Sequence, residues 1–422
     1  MASTPVASVR KDRLPLPIGQ RELVFMLALT QALQALAVDS MLPGLADIAR
    51  DLAVTDPNRR QLIVGLYLFG VGFGSLIPGM LADRYGRKKV LLVCIAAYVV
   101  ICAACALVND FTVLAGLRFL QGVLCAGLAV VPPAVIRDRF DGDRMASLQS
   151  LIAVIFLVVP MLAPSLGQLI LLFAGWRWIF GLMALLGAGM FAWLALRLPE
   201  TLHPEYRQPI SVSSITHNLR AATTTRASIG YVLAGAATMA VMWGYVQSCQ
   251  QLLGEHFGVG RAFPIFFGGM AMCIAGANFT NSRIVERFGA RRVGHTALLA
   301  YIVFAVGQWI LAHGPHETLW QFVPLMTLTM ICGGFTGANF SSIALQPFAR
   351  MAGAASSVQM FIRNVLAGGI AAMIGQAYDG TARPLSTAMV LAGVIALSLV
   401  LWSERGRLFR RLYPAGTPRP EA

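Results

Sequence analysis

Long apolar blocks, separated by short polar connections, constrain this chain more than any other feature. Residues 23–42, 90–107 and 182–198 are examples. Each approaches the ~20 residues an α-helix needs to cross a hydrocarbon core about 30 Å thick. Charge is correspondingly scarce, at 12% of residues against 57% hydrophobic. Soluble domains carry roughly 25% charged residues, and a chain of 422 residues with so few cannot cover a water-facing surface. The blocks predict spans near 22–45, 61–82, 90–108, 111–136, 146–173, 177–198, 227–252, 262–284, 293–312, 318–346, 354–376 and 385–402. The expected fold is an all-α membrane protein of twelve transmembrane helices.

The net charge of +14 would suggest nucleic acid in a soluble chain. Here the basic residues lie in short clusters between the apolar blocks. Of 33 Lys and Arg, six (Arg50, Arg59, Arg60, Arg177, Arg261 and Arg383) fall in one set of alternate connections, and Arg118 and Arg363 lie within spans. All the others fall in the opposite set with the two ends of the chain. That asymmetry predicts cytoplasmic termini and argues against a nucleic-acid partner. Residues 1–21 are polar, with no secretory signal. All seven Cys lie in apolar spans without metal spacing, and are read as small buried hydrophobes.

The longest polar connection, 199–226, divides the chain near its midpoint. The expected organisation is a cytoplasmic segment 1–21, a six-helix half 22–198, a cytoplasmic linker 199–226, a second six-helix half 227–402 and a cytoplasmic tail 403–422. The halves repeat. GMLADRYGRKKV at 79–90 aligns with SRIVERFGARRV at 282–293, each copy after the second span of its half. Two parallel six-helix repeats around an axis along the membrane normal form a transporter architecture, with a solute site near the midplane.

The first copy of that repeat, Gly79-Met-Leu-Ala-Asp83-Arg84-Tyr-Gly86-Arg87-Lys88-Lys89, resembles the loop between the second and third helices of the major facilitator superfamily. A positive-inside loop explains the Arg and Lys but not the Gly-x-x-x-Asp-x-x-Gly frame. Gly79 permits close helix approach and Gly86 a tight turn. Asp83 is expected near the N-terminus of a helix of the other half, around Ala354, as part of a cytoplasmic gate. Ser282 and Ala290 depart from the pattern in the second copy.

Other segments narrow the resemblance to bacterial Bcr/CflA-type drug:proton antiporters. Asp39-Ser-Met-Leu-Pro43 closes the first helix, and Arg118-Phe-Leu-Gln121-Gly122 lies in the fourth. Pro160-Met-Leu-Ala-Pro164-Ser-Leu-Gly167 is similar to the antiporter motif of the fifth, although Val159 and Gln168 stand where that family usually has Gly. Gly175-Trp-Arg-Trp178 and Leu198-Pro-Glu-Thr-Leu202 flank the sixth. The resemblance implies a monomeric, multi-pass protein of the bacterial inner membrane, without cofactor, whose partners are protons, a small solute and lipid.

Ionisable residues inside a span are costly and default to functional candidates. Here they are Asp39, Arg118 and Arg363. Asp39 and Arg118 lie at ~9 and ~10 Å from the outer ends of their predicted helices, so opposite charges are expected within reach, as a proton-coupling pair. A static role for Arg118, holding Asp39 in place, is the alternative. Gln31, Ala35 and Asp39 share a helix face by their i, i+4, i+8 spacing. The substrate-binding candidates are Gln31, Gln34, Asp39, Gln121, Met242, Tyr245, Asn339 and Arg363. Arg363 recognises an anionic group or pairs with a helix terminus. Met239, Met242, Trp243 and Tyr245 either line an adaptable pocket or face lipid.

The six His lie in or near loops, without metal spacing or a nucleophile beside them, so an enzyme is not expected. Three functions remain open: a proton-coupled exporter of drug-like or metabolite solutes, a proton-coupled importer, and a membrane receptor without transport.

Overall fold

The computed structural model describes residues 18–140, 142–203, 205, 207, 220 and 223–409. The terminal segments before 18 and after 409, and most of the expected linker, lie outside that description. Among the described residues every regular element is a helix. Ten helices are long and apolar enough to cross a membrane, and the bent pair Arg59–Gly74 plus Ile77–Tyr85 makes an eleventh. The fifth place in chain order belongs to Gly142–Phe173, whose apolar part is the shorter Val158–Phe173. Spans 1 to 12 are thus Gln20–Asp51, the bent pair, Arg87–Leu107, Phe111–Arg139, Gly142–Phe173, Arg177–Arg197, Arg226–His256, Gly260–Val285, Ala290–His313, Leu319–Phe348, Ala355–Gln376 and Arg383–Ser403.

The clearest departure from the expected ends is span 1, which continues past residue 45 to Asp51. Pro43 reads as a helix stop. It sits instead in a 3-10 turn, Leu42–Gly44, after which the helix Leu45–Asp51 resumes; the first turn tolerates a residue without N–H. Span 2 bends by 46° between Gly74 and Ile77, with Pro78 in the first turn of its second segment. Span 7 widens at its end into a π-helical turn, Gln250–His256, a deviation that often marks function.

The two copies of the repeat share a glycine turn as well as sequence. Gly86 (φ 105°) and Gly289 (φ 84°) each end one helix and begin the next. Each donates its N–H to the carbonyl four residues earlier, Ala82 and Val285 respectively. Such φ values are nearly strain-free only for glycine.

Arg197 pairs with Glu22 at 2.9 Å, while Arg226 donates to the Trp402 carbonyl at 2.8 Å. These links gather the start of span 1, the end of span 6, the start of span 7 and the end of span 12 on one face, called the terminal face below. The opposite, far face is tied by Trp176 to Asp51 at 2.8 Å and by Arg383 to the Ala312 carbonyl at 3.1 Å.

A continuous buried core runs through both halves, from Ile18 to Ala392. Large apolar side chains also cover the outside: Val93, Leu107, Phe173, Leu196 and Ile265 are each more than two-thirds exposed. An apolar exterior of this kind requires lipid contact. Five Cys are buried as expected, but Cys273 is exposed and Cys332 intermediate. Span 8, which carries Cys273, is only lightly covered by protein.

Between the halves, span 2 packs along span 11 and span 5 along span 8. Gly72 admits this approach, since a Cβ there would lie 2.9 Å from the Val365 backbone nitrogen. Small residues serve this purpose in membrane interfaces.

Candidate functional site

Span 1 is interrupted where its charge sits. Asp39 is the last residue of the helix Gln20–Asp39. Four residues later Pro43 supplies no N–H to the Asp39 carbonyl, which helps to end the helix. The break presses on span 5: a side chain at Gly167 would run into the Ser40 carbonyl. Pro164 is buried and Pro160 partly buried on the same helix. Asp39 is only 6% exposed, yet no hydrogen bond or ion pair to its carboxylate occurs among the described residues.

Arg118 is fully buried, and its partners correct the expected ion pair. Its Nε donates to the Ile63 carbonyl at 3.1 Å, its Nη2 to the Ala37 carbonyl at 2.7 Å and its Nη1 to Gln121 Oε1. The guanidinium lies 4.3 Å from the Tyr67 ring centroid. Asp39 is not among these partners. Ala37 belongs to the last turn of its helix, where backbone carbonyls carry the negative end of the dipole. The sequence places Arg118 near Asp39; the helix end captures it first.

The substrate candidates separate by exposure. Gln121 is completely buried, and its Nε2 lies 3.0 Å from Cys102 Sγ. Tyr245 is buried with its hydroxyl 3.1 Å from Met270 Sδ. Asn339 is buried and donates to Asn281 at 3.1 Å. These three are engaged in packing within their halves, which removes them from the set free to meet a solute. Gln31, Gln34, Met242 and Arg363 remain partly exposed. Trp243 and Tyr245 are buried against the core, with Met239 and Met242 packed on it, so the lipid-facing reading of that helix does not hold. Arg363 Nη1 donates to the Ser341 hydroxyl, not to a helix terminus.

The loop at 79–89 is anchored within its own half. Asp83 pairs with Arg87 at 2.6 Å, and Arg87 also pairs with Asp138 at 2.9 Å. Glu200 accepts the Arg87 N–H at 2.8 Å and those of Thr201 and Leu202. Lys88 donates to the Ala195 carbonyl at 2.8 Å. Gly86 lies directly against the Glu200 carboxylate, while Gly79 approaches Val130 and Arg84 is exposed. Among the described residues Asp83 pairs with Arg87 and not across the halves; the side chains around Ala354, where the cross-half contact is expected, lie outside the description. In the second half, Glu404 takes the Arg291 guanidinium and the Tyr231 hydroxyl, each at 2.7 Å. Burial works to raise the Glu404 carboxyl, but these two hydrogen bonds outweigh it and hold it below the ordinary range.

Every described polar contact between the halves lies at the far face. Arg60 pairs with Glu255 at 2.7 Å, and Gln61 donates to Gln251. Asn58 donates to the Tyr378 carbonyl at 2.7 Å, and Gln376 to the Asn58 carbonyl at 2.9 Å. Buried Gln247 has no partner for either amide atom. Sequence reading missed this seam; its one signal was Gln247, Gln250 and Gln251 ending an apolar block. The halves are therefore closed at the far face, and their polar links do not extend to the terminal face among the described residues.

The family model of the Major Facilitator Superfamily matches residues 27–372. An uncharacterized MFS-type transporter, YdgK of Bacillus subtilis, is 31% identical over 90% of this chain and 95% of its own length. The bicyclomycin resistance protein homolog of Haemophilus influenzae is 26% identical over 89% and 94%. The multidrug resistance protein MdtL of Klebsiella pneumoniae is 30% identical over 76% and 80%. Among solved structures, peptide transporter POT in complex with sulfate aligns with a TM-score of 0.71 at 15% identity, over 90% of this chain and 94% of its own. A bacterial homolog of the lysosomal transporter Spinster, in an inward-facing and occupied conformation, aligns at 0.70 and 16%, over 92% and 96%. Likeness at this identity speaks to the fold.

Proposed function

This chain belongs to the major facilitator superfamily, and from that premise we propose that it exports drug-like or small metabolite solutes in exchange for protons. It is a secondary transporter working by alternating access, as a monomer in the bacterial inner membrane, with its terminal face in the cytoplasm. The charge asymmetry of the connections supports that orientation. The resistance proteins among its relatives support export.

The observation that carries proton coupling is Asp39, a buried acid at a helix break with no partner among the described residues. Holding it charged and unpaired is costly. A proton or a cationic solute group removes that cost, and either arrival changes the balance at the break between spans 1 and 5. Closing the terminal face must then be coupled to loosening the far-face seam. The loop at 79–89 supports this as a gate, because Asp83 has in Arg87 a partner it can exchange for one across the halves.

Everted membrane vesicles energised by respiration test the reading. Accumulation of a fluorescent drug that collapses on adding a protonophore is expected. Proton-driven loss of solute from the vesicles would identify an importer, and no movement a receptor. A periplasm-active reporter fused after Pro209 is expected to be silent, and one after Gly258 active.

A further inference from the structure

Arg363 carries a charge that no described carboxylate neutralises. Its Nη1 donates to the Ser341 hydroxyl of span 10. Its aliphatic stem lies over Gly235 of span 7, where no side chain intervenes. Its Nε is buried without any hydrogen-bond partner. No described ion pair includes it. Two other guanidiniums inside the molecule are better served: Arg118 has three acceptors, and Arg87 two carboxylates.

Among the described residues no carboxylate within the spans pairs with it. Between Arg226 and Ser403 the acidic residues are Glu255, Glu286, Glu317 and Asp379. Glu255, Glu317 and Asp379 lie toward the far face, and Glu286 belongs to the last turn of the helix Phe263–Phe288, beside the terminal-face repeat. Asp39 stands at another depth. Asn364, next to Arg363, abuts Gly72, whereas Arg118 ties the end of the Asp39 helix to Ile63. Gly72 and Ile63 are separated by about 13 Å along span 2.

An uncompensated guanidinium inside a membrane protein is destabilising, so its presence calls for a partner that arrives from outside. The free edge of Arg363, Nε with Nη2, has the fork geometry that matches the two oxygens of a carboxylate. Ser341 fixes the opposite nitrogen. We infer that Arg363 and Ser341 form an anion subsite in the second half that receives the carboxylate of a transported solute. This deepens the transport reading and rests on it. The solute then meets a fixed positive charge in one half and the titratable Asp39 in the other. A solute with both an acidic and a basic group suits that arrangement.

The test is thermal unfolding of the purified full chain in detergent with acetate, benzoate and salicylate, and with neutral benzamide and salicylamide as isosteres. The carboxylates are expected to raise Tm in wild type and the amides to leave it unchanged. Arg363→Met is expected to lose the carboxylate response while its ligand-free Tm rises by about 2 °C, since an unpaired buried charge has been removed. Arg363→Lys is expected to weaken the response at least tenfold, because a point charge lacks the fork. Asp39→Asn is expected to retain it. The inference is overturned by equal shifts from carboxylates and amides, by no carboxylate shift in wild type, or by an undiminished shift in Arg363→Met or Arg363→Lys. A stabilisation produced by phosphatidylglycerol and by no carboxylate also overturns it, placing a lipid there instead. An Arg363-dependent carboxylate shift in a protein whose vesicles show no proton-driven transport sinks only the transport reading.

Discussion

The Arg118 guanidinium donates to the Ala37 carbonyl at 2.7 Å, two residues short of the Asp39 carboxylate. This separates two roles that a simple ion pair would merge. Arg118 clamps spans 1, 2 and 4 together through backbone carbonyls, which leaves Asp39 chemically free at the end of the same helix.

The two substitutions therefore part company. Arg118→Ala deletes three charge-assisted hydrogen bonds at a fully buried position, and a loss of at least about 3 kcal/mol is expected. Asp39→Asn keeps size and breaks no described bond. It should change stability by less than about 1 kcal/mol while abolishing transport driven by a pH gradient. Thermal unfolding and proteoliposome transport on both variants check this; a stable Arg118→Ala or an actively coupled Asp39→Asn contradicts it.

The two repeat glycines offer an internal control on the gate loop. Gly86→Ala meets an unfavourable φ of 105° and the Glu200 carboxylate at once. Gly289→Ala meets only an unfavourable φ, with open space around it. The first is expected to cost more than the second, by about 1–3 kcal/mol. Equal losses would mean that Glu200 does not hold the loop. Asp83→Asn is expected to slow transport with little effect on solute binding, since it touches the gate and not the pocket.

Closure at the far face is testable by a reversible lock. Gln61 and Gln251 meet across the halves, so paired Gln61→Cys and Gln251→Cys should form a disulfide under mild oxidation. Transport is expected to stop and to return on reduction, in a background with Cys273 replaced. Undiminished transport by the fully oxidised protein would show that this seam need not open.

One acid outside the spans gives a pH signature. Burial pushes the Glu317 carboxyl from 4.5 up to about 7, against the opposing hydrogen bond from Gln308. The folded state then holds more protons than the unfolded one between those values, so stability falls as pH rises from about 4.5 to 7. Glu317→Gln is expected to flatten that part of the Tm profile. An identical slope in wild type and variant would assign it elsewhere.

Much of this molecule is legible from spacing alone. The apolar blocks locate the spans because a bilayer imposes one length and an internally hydrogen-bonded backbone on every crossing segment. The offset repeat reveals the halves because Gly86 and Gly289 need the same unusual φ. Asp39, Arg118 and Arg363 stand out because charge in hydrocarbon is costly wherever it occurs.

Sequence alone therefore determined what depends on local period and on solvent: helix, membrane and the positions of isolated charges. Which atoms those charges meet depended on the packing of helices far apart in the chain. Arg118 took a helix-end carbonyl over a carboxylate, Asp83 took Arg87 within its own loop, and Gln61, Gln251 and Gln376 became part of a seam between halves. Each outcome turns on side-chain reach over a few ångströms at a helix crossing. No residue spacing encodes that distance, so tertiary structure decided it.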